Sequence, residues 1–131
     1  MAIVNGGSDE RALRRQRLVV IPNPAPWHDT LVGWSGTLAD GRSVAVEYVP
    51  DRLVLAAPAF AAYLAALEAV SWPSLEAVVT AVLDDFNNQL VPRWVRVCGR
   101  FEGNGVRHHA TVNDRQPGWD NPGLIARPLG A

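Results

Sequence analysis

Arg93-Trp94-Val95-Arg96-Val97-Cys98-Gly99-Arg100-Phe101 is the stretch on which the fold turns. Its residues alternate. Val95, Val97 and Phe101 fall on one side of an extended chain, and Trp94, Arg96, Cys98 and Arg100 on the other. Gly103-Asn104-Gly105 follows, which is tight-turn chemistry. Residues 106–112 then return with Val106, His108, Ala110 and Val112 on the apolar face. The pattern predicts two antiparallel strands joined by a short hairpin.

The same alternation occurs upstream. In residues 43–49, Val44, Val46 and Tyr48 share one face, and Ala45, Glu47 and Val49 the other. Asp40-Gly41 is a hairpin dipeptide, so a strand within residues 30–38 is expected to pair with 43–49. Leu18-Val19-Val20-Ile21, closed by Pro22, reads as a further strand, and Pro22, Pro24 and Pro26 hold the chain extended after it. Between the two strand groups lie two helical patterns. Residues 58–70 are rich in alanine and leucine and nearly uncharged. A helix apolar on most sides is a buried one, often against another subunit. After the break at Ser71-Trp72-Pro73-Ser74, Leu75, Val78, Val79, Val82, Leu83, Phe86 and Leu90 recur at helical spacing, opposite Asp84, Asp85 and Asn88.

Two or three strands, two helices and two strands predict an α+β domain: an antiparallel sheet with both helices packed on one face. The domain is expected over residues 16–118. A flexible lead, either a solvated arm or one helical turn, is expected over 1–15, and an irregular tail over 119–131. So small a sheet, with so apolar a first helix, predicts a homo-oligomer.

Composition removes several function classes. The 131 residues suit one domain, and 48% apolar with 19% charged is a globular composition. A net charge of −1 and a pI near 6.3 argue against nucleic-acid binding through bulk positive charge. One cysteine gives neither a disulfide framework nor a thiolate zinc cluster. All 12 basic residues are arginine, so Schiff-base lysine chemistry and a P-loop are excluded. No run reaches the roughly 18 apolar residues of a membrane span, and residues 1–17 lack a signal-peptide core. A cytoplasmic protein without membrane or nucleic-acid partners is the expectation.

The order of elements and several stretches resemble the tunnelling-fold (T-fold) superfamily, and within it the single-domain 7-cyano-7-deazaguanine reductases of the QueF family. Tyr48-Val49-Pro50-Asp51 is similar to the family's Tyr-Ile-Pro-Asp. Pro92 with the 93–101 strand resembles its Pro-Arg-Tyr-Ile-Glu-Val-Trp-Gly-Lys-Phe, and Asn113-Asp114-Arg115-Gln116-Pro117-Gly118 its Asn-x-x-x-Pro-Gly exit. The likeness runs from about residue 18 to 118. It implies a ring of subunits with pockets between them and a flat purine-, 7-deazapurine- or pterin-like ligand.

The family's reaction is NADPH-dependent reduction of a nitrile through a cysteine thioimide. Here the resemblance puts Gly33 at the nucleophile's position, and a glycine has no side chain to form the adduct. Cys98 stands where the family has tryptophan. The NADPH signature Glu-Ser-Lys-Ser-x-Lys plus an aromatic corresponds to Ala56-Ala57-Pro58-Ala59-Phe60-Ala61-Ala62-Tyr63, in which only Tyr63 is kept. No cofactor is therefore assigned.

Two carboxylates match. The resemblance places Asp40 at the proton-transfer aspartate and Glu76 at the acid that anchors the heterocycle; the family's neighbouring histidine has become Leu75. A carboxylate can take a ring N–H and an exocyclic amine side by side. The bland readings are helix-dipole capping for Glu76 and ordinary turn chemistry for Asp40. His28, in the loop leading to Gly33, is a candidate general base. Trp34 and Trp72 are candidate stacking surfaces, with core packing as the alternative. His108 and His109 point to opposite sheet faces, which argues against a zinc site and makes His108 a core histidine and His109 a surface one. An enzyme of heterocycle metabolism is expected, or a non-catalytic ligand-binding or scaffold protein.

Overall fold

The computed structural model describes residues 8–126. The elements run α1 (Ser8–Gln16), β1 (Val20–Pro22), β2 (Val32–Thr37), β3 (Ser43–Val49), β4 (Leu53–Leu55), α2 (Ala59–Glu68), α3 (Leu75–Leu90), β5 (Trp94–Gly103), β6 (Val106–Arg115) and α4 (Pro122–Ile125). The α+β architecture forms as the patterning predicts. Strands β2-β3-β5-β6 make one antiparallel sheet, and β1 pairs with β4 in a separate two-stranded ribbon.

Alternation sets the register. Trp34, Val46, Val97 and Val112 form one row across the sheet, facing the helices, and Gly33, Glu47, Arg96 and Asn113 form the adjacent row on the other face. Asn104 (φ 54°) and Gly105 (φ 75°) make the β5–β6 turn, whose twist needs positive φ at both central residues. The core is the helix-facing rows of the sheet, Val44, Val46, Tyr48, Val95 and Val97, packed against Phe60, Tyr63 and Leu67 of α2 and Val78, Val82 and Phe86 of α3.

Helix α3 starts where Ser74 Oγ accepts the Ala77 N–H at 3.1 Å. Its first turns lie directly on β5 at Gly99. A Cβ there would come within 2.7 Å of Val79 Cγ1 and 2.8 Å of Leu75 Cδ1. The missing side chain thus sets the height of the turn that carries Glu76.

The expectation for the N-terminal segment needs correction where the structure describes it. Residues 8–16 are a docked helix, not a solvated arm. Arg14 is 3% exposed, and Asp85 on α3 is fully buried beneath it. Arg14 Nε donates to Asp85 Oδ2 at 2.6 Å, Arg15 Nε to Oδ1 at 2.8 Å, and the Tyr63 hydroxyl to Oδ2 at 2.6 Å. Arg14 also donates to the Glu10 carboxylate, at 2.7 Å. A buried carboxylate is tolerable only when paired and hydrogen-bonded, and α1 supplies both of its cationic partners. Residues 1–7 and 127–131, the rest of the lead and tail, lie outside the described residues. Within the tail, α4 is one short turn capped by Asn121.

The ribbon strand β4 has no signature in the sequence pattern. It is tied to the main sheet by Tyr48, whose hydroxyl accepts the Leu55 N–H at 2.9 Å. At the same end, Arg93 bridges the Pro26 carbonyl, Asp29 and Asp51, while Trp119 and Asn121 donate to Asp29. Burial alone would raise the Asp29 pKa, but the hydrogen bonds from Asn121, Trp119 and Arg93 outweigh it and hold the carboxyl below its ordinary range.

Candidate functional site

Three of the five candidate side chains come together at the end of the sheet where β2 turns into β3. Asp40 lies in that turn. Its Oδ1 accepts the Arg42 N–H at 3.0 Å, and Oδ2 is 3.4 Å from Arg42 Nε. Asp40, Arg42, Ser74, Leu75, Phe101 and His108 border a cleft of about 460 Å³. Glu76 is not among the residues that line it but adjoins its His108 wall, with Oε2 3.3 Å from His108 Nε2. On its other side Glu76 borders a second groove, about 590 Å³, walled by Trp72, Arg11 and Thr80.

The Glu76 side chain is 65% exposed. The hydrogen bond from its own backbone N–H, aided by His108, holds its carboxyl below the ordinary range despite slight desolvation. It is an ionised acceptor facing solvent at a concave edge. The helix N-terminus and the residue's own N–H both act on the carboxylate, yet they leave acceptor sites on it open. Trp72 is more committed. Its indole N–H donates to the Leu67 carbonyl at 2.9 Å, and the Arg14 guanidinium lies 5.3 Å over the ring.

The other two candidates lie elsewhere. Trp34 faces the helices and stacks on Phe60, with ring centroids 6.0 Å apart. Its neighbour Gly33 points to the opposite face, as alternation requires. His28 is exposed at the far end of the sheet, where its carbonyl accepts from Arg93 at 3.0 Å. The seven residues of β3 separate that end from Asp40, about 20 Å at the usual rise per residue. His28 and Asp40 of one chain therefore do not meet.

His108 carries a signal that the sequence did not give. It is no core histidine, because its side chain is 45% exposed. β6 is an edge strand, and towards its hairpin end the residues on the helix-facing side, Phe101, Val106 and His108, are all exposed. The alternation of His108 and His109 was readable; the exposure of the edge was not. Among the described residues no cluster of His, Cys, Asp or Glu could hold a metal ion.

Gly33 has room for a side chain. A Cβ there would meet only Glu47 Cγ at 3.7 Å and the Val46 carbonyl at 3.8 Å. Cys98 is buried on β5, two strands away, on the order of 10 Å or more. No thiol of the described chain reaches the Gly33 position. Nor do residues 56–63 fit a cofactor phosphate. The segment contains no cation, Ala59 and Phe60 are buried, and the Tyr63 hydroxyl is spent on Asp85.

Helices on one face of a four-stranded antiparallel sheet, with an ionised acid at the start of the second long helix, define the class: a T-fold-like α+β protein. The family of QueF-like proteins matches residues 40–117. The chain belongs to that family. It is similar to the NADPH-dependent 7-cyano-7-deazaguanine reductase of Nitrosococcus oceani, 29% identical over 90 residues, which is 68% of this chain and 69% of that protein. The corresponding reductase of Nitratidesulfovibrio vulgaris is 32% identical over 66 residues, 50% of this chain and 39% of that one. The crystal structure of an archaeosine synthase QueF-Like in the apo form superposes with a TM-score of 0.54 at 18% identity, covering 66% of this chain and 94% of that chain. That likeness shows the fold. No helix among the described residues is long and apolar enough to cross a membrane.

Proposed function

We propose that the chain binds a flat purine-, 7-deazapurine- or pterin-like heterocycle, with Glu76 accepting hydrogen bonds from the amino-pyrimidine edge. The pocket is completed by a second copy of the chain in a ring. One observation carries this reading: in a QueF-like chain the Glu76 carboxylate is ionised, exposed and set beside a cleft, with oxygen lone pairs free for a ligand. Trp72 borders the adjoining groove and offers apolar surface.

The chemistry is not nitrile reduction through a thioimide. That route needs a thiolate to add to the nitrile carbon, and Gly33 offers none. A reaction in this cleft would be proton transfer, with Asp40 as the group at hand and His28 reaching it only from a neighbouring subunit. The alternative, a ligand-binding or scaffold protein without catalysis, is favoured by the missing thiol and the uncharged start of α2.

Thermal unfolding with guanine, pterin and 7-cyano-7-deazaguanine tests the reading. At least one is expected to raise the melting temperature of the wild type, and Glu76→Ala is expected to abolish the rise. A wild type that responds to none of them, or a Glu76→Ala protein that responds equally, overturns it. Solution mass should show a ring; a stable monomer that still binds removes the shared pocket.

A further inference from the structure

We propose that Phe101 is the stacking platform of this cleft and makes the site select for ring area: a fused bicycle over a single ring that carries the same polar edge. The inference rests on the heterocycle reading above and deepens it. Glu76 holds the edge of the ligand, and Phe101 measures its flat body.

A flat ligand needs an aromatic face that no other group occupies. The tryptophans nearest the site do not meet that condition. Trp34 stacks on Phe60, and Trp72 carries the Arg14 guanidinium over its ring. Trp94, farther along β5, is buried with Arg96 over its ring at 5.0 Å. Phe101 differs. It is 39% exposed and lines the cleft of about 460 Å³. Among the described residues no aromatic ring or guanidinium is stacked on it.

The backbone around the phenyl keeps it accessible. A Cβ at Gly41 would lie 3.7 Å from Phe101 Cε1, and one at Gly103 would lie 3.1 Å from Cε2 and 3.3 Å from Cζ. The two glycines therefore flank opposite edges of the ring, and neither has a side chain to cover it. His108 stands opposite Phe101 across the β5–β6 ladder and is also the residue beside Glu76, so phenyl and carboxylate border the same corner. Stacking strengthens with the overlapped area and tolerates any arrangement of donors and acceptors, because every such ring has a π face. A second fused ring extends the overlap on Phe101 while the edge offered to Glu76 stays the same.

Equilibrium titration with guanine, pterin and 7-cyano-7-deazaguanine, each against isocytosine, tests the assignment. All four carry the same amino-pyrimidinone edge, and isocytosine alone lacks the second ring. The wild type is expected to bind at least one bicycle about tenfold more tightly than isocytosine, the size of one base stacked on an aromatic side chain. Phe101→Leu keeps an apolar side chain without a π face, so that ratio should fall by about threefold or more. Phe101→Tyr should restore it. Both ligands of a ratio meet the same preparation, so a change in the folded fraction leaves the ratio untouched. A wild type without the preference, a Phe101→Leu protein that keeps it, or a Phe101→Tyr protein that behaves like Phe101→Leu overturns the role of Phe101 and leaves the heterocycle reading standing. A wild type that binds none of the four ligands overturns both.

Discussion

Two carboxylates nine residues apart on α3 meet opposite fates. Asp85 is fully buried and accepts from Arg14, Arg15 and Tyr63, so its lone pairs are consumed inside the protein. Glu76 sits in the first turn of the same helix, 65% exposed, with one histidine beside it. The residue types differ by one methylene. Burial decides which becomes architecture and which remains available for chemistry. In a low-dielectric site every partner of a charge must be present, and removing one is costly. In water the same contact is worth little and can be exchanged for a ligand.

That contrast can be broken in graded steps. Asp85→Ala should have the largest effect, about 3–5 kcal/mol of stability, because it takes the shared acceptor from the buried Arg14 and the Tyr63 hydroxyl and from the half-buried Arg15. Urea unfolding measures it, and a loss below about 1 kcal/mol would mean that the cluster behaves as a surface pair. Gly99→Ala should come next, at about 1–3 kcal/mol, since the new methyl group forces Leu75 and Val79 off the sheet. It also lifts the turn that bears Glu76, so ligand-induced stabilisation should shrink with it; a Gly99→Ala protein with full ligand response would uncouple the site from that contact. Glu76→Gln should have the smallest effect on folding, with an unfolding midpoint coincident with the wild type, yet it should remove the ligand response. A marked fall in the midpoint would make Glu76 a structural residue like Asp85.

The same contrast explains what the sequence disclosed. The hairpins β2–β3 and β5–β6 and the helices α2 and α3 follow from periodicity, because each is specified by neighbours within its own stretch. Leu53-Val54-Leu55 did not announce a strand: three residues are too few for alternation to show, and their pairing depends on Val20 to Pro22, more than thirty residues earlier. The charged stretch of α1 looked solvated, because nothing near Arg14 reveals that its partner is Asp85, 71 positions on. Asp40, Glu76 and Trp72 were readable as candidates, and the structure sets them at one end of the sheet. Trp34 could have been placed from period two alone, since it must face away from Gly33. His108 could not, because the exposure of an edge strand depends on where the helix layer ends.

The pairing of β3 with β5 carries a consequence for how the chain reaches this state. Val46 meets Val97 only after both long helices have been laid down between them. The hairpins and helices can form on local information, in microseconds. The sheet's central seam closes a loop of some fifty residues, and the entropy of that closure comes due before the core repays it. Refolding of this small domain should therefore be governed by one long-range encounter. Until it occurs, each half presents a bare strand edge to any other half-made copy nearby.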